Sequence, residues 1–156
     1  APINRHNETY QLHYDVLPPY QILRTDRINF QDMQRLNRFA RFWDLVGNSG
    51  RFCTSLDLIL ADQAFVRFMQ FSDALYALTG STWQIALKRL FELNFKVMTE
   101  TLGIAEDSAR VALEEDFNRS GEKGRLEFSL RRTTSNANGR QRVANKRHQL
   151  YLTENR

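Results

Sequence analysis

From Asn29 to Val46 the apolar positions Phe30, Met33, Leu36, Phe39, Ala40, Trp43 and Val46 recur at steps of three and four. That spacing is the mark of one buried helical face. Asn29 is a natural N-cap, and Asp32, three residues on, suits the positive end of a helix. Arg35, Arg38 and Arg41 fall on a different face of the same segment. The run "GNSG" (47–50) ends it, with Gly47 expected in the left-handed conformation that closes many helices. The aromatics of "RFARFWDLVGNSGRF" (38–52) are therefore expected in the core, facing the helices that follow.

Those helices follow quickly. In "SLDLILADQAFVRFMQFSDALYALTG" (55–80), Leu56, Ile59, Leu60, Ala64, Phe65, Phe68, Met69, Ser72, Leu75 and Tyr76 keep helical spacing up to Gly80. The segment reads either as one long helix or as a short and a long one broken near Asp62. In the next segment (81–103), Ser81 and Gln84 match the Ser-x-x-Gln capping box. Trp83, Ala86, Leu87, Leu90, Phe91, Asn94, Val97 and Met98 line one face there, and Gly103 closes it. "EDSARVALEEDF" (106–117) predicts a shorter helix with Ala109, Ala112 and Leu113 inward.

The two ends differ from this middle. Pro18 and Pro19 hold their own backbones near polyproline II and keep Leu17 out of the helical region. Residues 1–28 thus read as an extended arm or linker, with Tyr20, Ile22 and Leu23 as its anchors. Residues 29–119 form the bundle core. Residues 120–156 read as an irregular basic segment, in which the alternation Leu126, Phe128, Leu130 suggests a short strand and "RQRVANKRHQLYL" (140–152) a terminal helix. The fold class is all-α: a compact bundle of about four to six helices with irregular ends.

Composition narrows the class. A chain of 156 residues with 42% apolar residues, eleven of them Phe, can build one real core but not two ordinary domains. No run of eighteen apolar residues exists, so no membrane-spanning helix is expected. The start, "APINRHNETY", lacks an apolar signal core and begins at Ala1, which fits a processed chain or a piece of a longer one. Cys53 stands alone between Phe52 and Thr54, and is expected as a buried, inert thiol in a reducing cytoplasm. Charge is uneven. Residues 1–121 carry thirteen Lys and Arg against fifteen Asp and Glu, while 122–156 carry nine against three. The excess positive charge therefore lies in the last segment, where Arg131, Arg132, Arg140, Arg142, Lys146 and Arg147 accompany Phe128 and Tyr151. These residues suit phosphate neutralisation or an acidic protein surface; protein contact or plain solubility is preferred over nucleic acid.

Catalytic constellations are harder to find. His6, His13 and His148 lie far apart and lack ligand-type neighbours at metal spacing. "GNSGRF" lacks the lysine and spacing of a phosphate-binding loop, and no Gly-x-Ser-x-Gly elbow occurs. Glu114, Glu115 and Asp116 are adjacent, point different ways and read as a solvated face, with Asp116 and Arg119 spaced to pair. The Arg35, Arg38, Arg41 stripe is the strongest polar feature, since guanidinium forks bind phosphate and carboxylate groups. A solvated helix face is nevertheless the preferred reading, and Arg51 would join the stripe if the turn folds back.

Taken together, "PPYQILRTDRINFQDMQRLNRFARFWDLVGNSGRF" (18–52) resembles the segment that follows the barrel in bacterial radical S-adenosylmethionine proteins with a cobalamin-binding domain. The matching positions are Pro18, Pro19, Tyr20 and Leu23, then Arg35 to Trp43, then Asn48, Ser49 and Gly50. "APINRH" is similar to the last loop of such a barrel, and "GRQRVANKRHQLYL" loosely to the family's short basic end. The resemblance covers residues 1–52 best and the remainder mainly in helical character. Its members include iron–sulfur oxidoreductases and relatives of the anaerobic magnesium-protoporphyrin IX monomethyl ester cyclase.

The resemblance implies a C-terminal accessory domain, not catalytic alone, packed on the radical barrel of its own parent chain. The parent would use a 4Fe–4S cluster, S-adenosylmethionine and cobalamin. This chain lacks the Cys-x-x-x-Cys-x-x-Cys of the cluster and the Asp-x-His-x-x-Gly of the cobalamin site, so no cofactor is expected in it. Tyr20, Arg35, Arg38, Arg41 and Arg51 are the expected docking residues, reaching barrel or substrate, and the fragment alone is expected to self-associate. The competing expectation is a free-standing helical nucleic-acid-binding module that uses the basic tail.

Overall fold

The computed structural model describes residues 6–129, and the structural statements below concern those residues. The fold is a helical bundle: α1 (Asn7–Tyr10), α2 (Phe30–Val46), α3 (Cys53–Leu60), α4 (Ala64–Thr79), α5 (Leu87–Lys96) and α6 (Glu106–Ser120). A π-helical turn, Val97–Thr101, continues α5. The arm holds α1 and a two-stranded antiparallel sheet of β1 (His13–Tyr14) and β2 (Ile22–Arg24), with His13 opposite Arg24 and Tyr14 opposite Ile22. The prolines at the hairpin's far end did not announce this pairing, which lays β2 against α2. No helix among the described residues is long and apolar enough to cross a membrane.

Asn29 caps α2 as its sequence indicates: its Oδ1 accepts the Asp32 amide at 2.9 Å, and its Nδ2 donates to the Asp32 carboxylate at 2.9 Å. The buried face of α2, however, is turned from the expected one. Phe42 and Val46 are fully buried, Phe39 and Trp43 partly so, while Phe30 and Ala40 are exposed. The direction of approach of α4 decides this. Phe68 of α4 meets Trp43 edge-on at 4.8 Å and Phe39 at 5.1 Å, drawing the inward face toward Phe39, Phe42, Trp43 and Val46. Phe71 of α4 joins the core although it stood outside the expected face, whereas Phe65 is left largely exposed.

Gly47 is not left-handed; its φ is −70°, and the positive φ falls at Gly50 instead. Glycine is required at 47 for a different reason. A Cβ there would lie 2.8 Å from two ring carbons of Trp43, so the indole lies against the backbone where α2 ends. Residues 55–79 form two helices, broken at Ala61–Gln63 near Asp62. The expected capping box does not form: α5 starts only at Leu87, and Gln84 sits at φ 57°. Ser81 Oγ instead accepts the Trp83 amide at 3.1 Å, closing a turn, because side chains of this kind serve turns as readily as caps.

The second half of the core gathers around α5 and α6. Phe52 packs against Phe91 at 4.4 Å, and Phe91 meets Phe117 edge-on at 5.2 Å. Ala109, Ala112 and Leu113 are buried, as the spacing of α6 predicts, but so are Phe117 and Asp116. The solvated-face reading therefore fails at Asp116. Its carboxylate accepts the Thr54 and Ser55 amides at 3.0 and 2.8 Å and the Ser55 hydroxyl at 2.7 Å, with Arg119 at 3.2 Å. Residues 125–129 make a turn rather than a strand, with the Ser129 amide on the Leu126 carbonyl. Leu126 is buried and Phe128 stacks on Phe95 at 4.2 Å, so the alternating apolar residues pack here without a ladder. Leu130, the basic residues from Arg131 onward and the expected terminal helix lie outside the described residues. Cys53, expected to be buried, is exposed in the first turn of α3, its Sγ 3.2 Å from the Gly50 carbonyl oxygen.

Candidate functional site

The arginine stripe of α2 divides on folding. Arg35 commits to α4: its Nε donates to Asp73 Oδ2 at 2.8 Å, and Nη2 lies 2.5 Å from the same oxygen. That hydrogen bond, and then the Asp73 charge, hold the Arg35 proton even above the ordinary arginine range; partial desolvation opposes this and Asp32 adds to it. A raised folded-state value means that the arginine's contribution to stability is fully present below the arginine range and is lost as pH rises through it. Arg35 is thus a tether between α2 and α4.

Arg38 and Arg41 go elsewhere. The Arg38 guanidinium carbon lies 4.6 Å from the ring centre of Tyr76 on α4, and that of Arg41 lies 4.1 Å from the ring centre of Trp83. Each arginine–ring contact is worth about 0.5–2 kcal/mol, more as it is desolvated. The loop after α4 makes the second contact. Gly80, at φ 64°, ends α4; the Thr79 hydroxyl lies 2.6 Å from the Ser81 carbonyl; and the Ser81–Trp83 turn brings the indole over Arg41. Both arginines line a cleft of about 580 Å³ with Gln34, Asn37, Asp44, Tyr76, Ser81, Thr82 and Trp83.

Among the described residues neither guanidinium forms a salt bridge with a carboxylate. Asp73 holds Arg35, and Asp44 accepts from Asn48 Nδ2 at 2.8 Å. Arg38 Nε, Arg41 Nε and Asn37 Nδ2 are buried and have no hydrogen-bond partner among the described residues. A second cleft, about 540 Å³, lies beside the π-helical turn and differs in this respect. Its Glu92 faces Lys88 and Arg89 at 3.7 and 3.8 Å, and Lys96 faces Glu100 at 3.9 Å, so its basic residues have acidic partners, and Glu106 and Glu127 add further negative charge.

Arg51 does not join the stripe; the turn carries it away from the cleft, and its amide donates to Ser49 Oγ at 3.3 Å. Tyr20, expected as an anchor, is 61% exposed, whereas Ile22 and Leu23 are half-buried. It has company. Tyr10, Val16, Leu17 and Phe30 are also exposed, so the arm and the start of α2 present five large apolar side chains to solvent. The hairpin loop fixes this display: the Leu17 amide donates to Asp15 Oδ1 at 3.1 Å and the Tyr20 amide to the Leu17 carbonyl at 2.9 Å.

Tyr76 and Trp83 were expected in the core and are cleft residues instead. Trp83 carried a signal, since it sits among Ser81, Thr82 and Gln84 after a glycine. Tyr76 carried none, because its partner is 38 positions away in sequence. Among the described residues no group of three or more His, Cys, Asp or Glu is placed to hold a metal ion.

A family model described as "Protein of unknown function (DUF4080)" matches residues 8–155, and the chain belongs to that family. No curated protein and no solved structure matches the chain.

Proposed function

We propose that this member of the DUF4080 family is a docking domain: a helical cap that packs on the barrel of a cobalamin-type radical S-adenosylmethionine enzyme and adds shape, not reactivity. The observation that carries the reading is the apolar display of the arm. Val16 and Leu17 are 87% and 66% exposed, on a segment whose sequence resembles the junction with such a barrel. Fully burying a side chain of this size gains about 1.5–3 kcal/mol, so a loop that holds several outward favours a partner surface.

The groups such an enzyme uses do not fit this chain's own residues. A 4Fe–4S cluster needs several thiolates, and Cys53 is the one cysteine present. No Asp-x-His-x-x-Gly occurs for cobalamin. Cluster, S-adenosylmethionine and cobalamin would all belong to the parent's other parts, and no chemical step is assigned to residues here. The arm is then both the hinge from the barrel and part of the interface, and α2 sets the position of the cap.

Two measurements test this. The reading frame upstream of Ala1 is expected to encode the Cys-x-x-x-Cys-x-x-Cys triplet; a frame without it removes the reading. In the joined chain, Leu17→Glu with Tyr20→Glu should loosen the cap, read as faster protease release of this domain with unchanged helical circular dichroism. DNA or RNA affinity of the 156-residue chain that falls steeply with ionic strength would support a nucleic-acid module in its place.

A further inference from the structure

We infer that the cleft between α2 and the loop 80–86 is an oxyanion-binding site, taking a small molecule through its carboxylate or phosphate group. The inference does not rest on the docking role, which concerns the arm. It rests on two like charges set one helical turn apart on α2, an arrangement that costs stability unless a negative group answers them. Folding does not relieve that cost. It stacks Arg38 on Tyr76 at 4.6 Å and Arg41 on Trp83 at 4.1 Å, and pairs Asp73 with Arg35 instead.

The stacking does two things. It removes water from one side of each guanidinium, which strengthens any ion pair made on the other side. It also fixes two long side chains in advance, so a ligand need not supply the ordering entropy. The donors around them are of one kind in function. Asn37 Nδ2 and both Nε groups are buried without a partner among the described residues, and Ser81 and Thr82 line the same cleft. Buried donors of this sort are ordinarily satisfied, and three on residues of one cleft, two of them from the guanidinium groups themselves, call for an acceptor with several lone pairs. Carboxylate and phosphate both meet that description, since the arginine fork matches either one through paired hydrogen bonds. Asp44 also lines the cleft; Asn48 engages its Oδ1 but leaves its charge, so the two arginines exceed the acid there by one positive charge. The cleft, about 580 Å³, is of the size that holds small organic ligands.

The test uses the 156-residue chain, titrated separately with inorganic phosphate and with succinate at constant ionic strength set by chloride. A saturable change in tryptophan fluorescence is expected with at least one of them, and the tighter one names the ligand group. Arg41→Lys keeps the charge but loses fork and stack, and should weaken binding roughly tenfold or more. Arg51→Ala removes one charge outside the cleft and should leave affinity within about twofold. Should Arg41→Lys fail to fold, the wild-type chain still decides: the side-chain Nε–H resonances of Arg38 and Arg41 must shift along the same saturation curve. No saturable response to either anion overturns the inference. Equal weakening by Arg51→Ala and Arg41→Lys overturns it too, because binding would then follow net charge alone.

Discussion

Gly47 shows how a single position can be fixed by a neighbour rather than by its own backbone. Its φ and ψ are those of an ordinary helix, which any residue adopts, and an alanine there would favour the helix by about 0.5–1 kcal/mol if space allowed. Space does not allow it, because the Cβ would sit 2.8 Å from the Trp43 ring. Gly47→Ala is therefore expected to destabilise the chain by about 1–3 kcal/mol, the usual cost of overpacking, as a lower urea midpoint with an unchanged slope. Adding Trp43→Leu should remove most of the difference between glycine and alanine at 47. If Gly47→Ala raises the midpoint, the ring does not lie where described. Ala61 presents the opposite case, with strain in its own backbone: at φ 42° and ψ −137° it holds a conformation costly for any L-residue. Ala61→Gly should stabilise by about 1 kcal/mol in the same assay, and a loss of stability would mean that the break between α3 and α4 is not strained.

Among the helices, α3 depends most on its neighbours. It has eight residues, too few to persist alone, and no side chain of its own caps either end. Asp116 of α6 accepts two amides of its first turn, and Arg67 of α4 donates to the Ile59 carbonyl at 2.8 Å and the Leu58 carbonyl at 3.4 Å. An acid thus stands at the positive end and a base at the negative end, each supplied by another helix. Asp116→Ala leaves two amides and the Ser55 hydroxyl without that acceptor and should cost about 3 kcal/mol by chemical denaturation. Asp116→Asn keeps one acceptor oxygen and should cost less. Hydrogen exchange of the α3 amides should quicken before that of α5; uniform quickening would show instead that Asp116 supports the whole core.

In the molecule as a whole, the apolar side chains left outside are as informative as those inside. Tyr10, Val16, Leu17, Tyr20 and Phe30 lie along one stretch of chain and stay exposed after the bundle closes. Without a partner to cover them, the isolated chain should self-associate as its concentration rises. Light scattering is expected to show this, and Leu17→Glu with Tyr20→Glu to abolish it while shifting the melting temperature little, since both side chains are more than half exposed. A strictly monomeric wild-type chain at high concentration would count against the docking surface; a large fall in melting temperature would place these residues in the core.

The helices themselves could be read from the linear chain, because apolar spacing is a local property: Phe30–Val46 and the inward alanines of α6 follow from it, while the break near Asp62 stood as one of two readings. So does the Asn29 cap, whose partner is three residues away. The failures share one cause. Spacing says that a helix has an inward face, but the angle at which a neighbour arrives sets where that face lies, and so Phe42 and Phe71 went in while Phe30 and Phe65 stayed out. Ser81 and Gln84 obeyed the pattern of a cap and made a turn, because the loop had to span from α4 to α5. Of the site, the chain alone showed three arginines on one helix. Which of them pairs with Asp73, and which stack on Tyr76 and Trp83, depended on residues some forty positions away, and only packing brought those together.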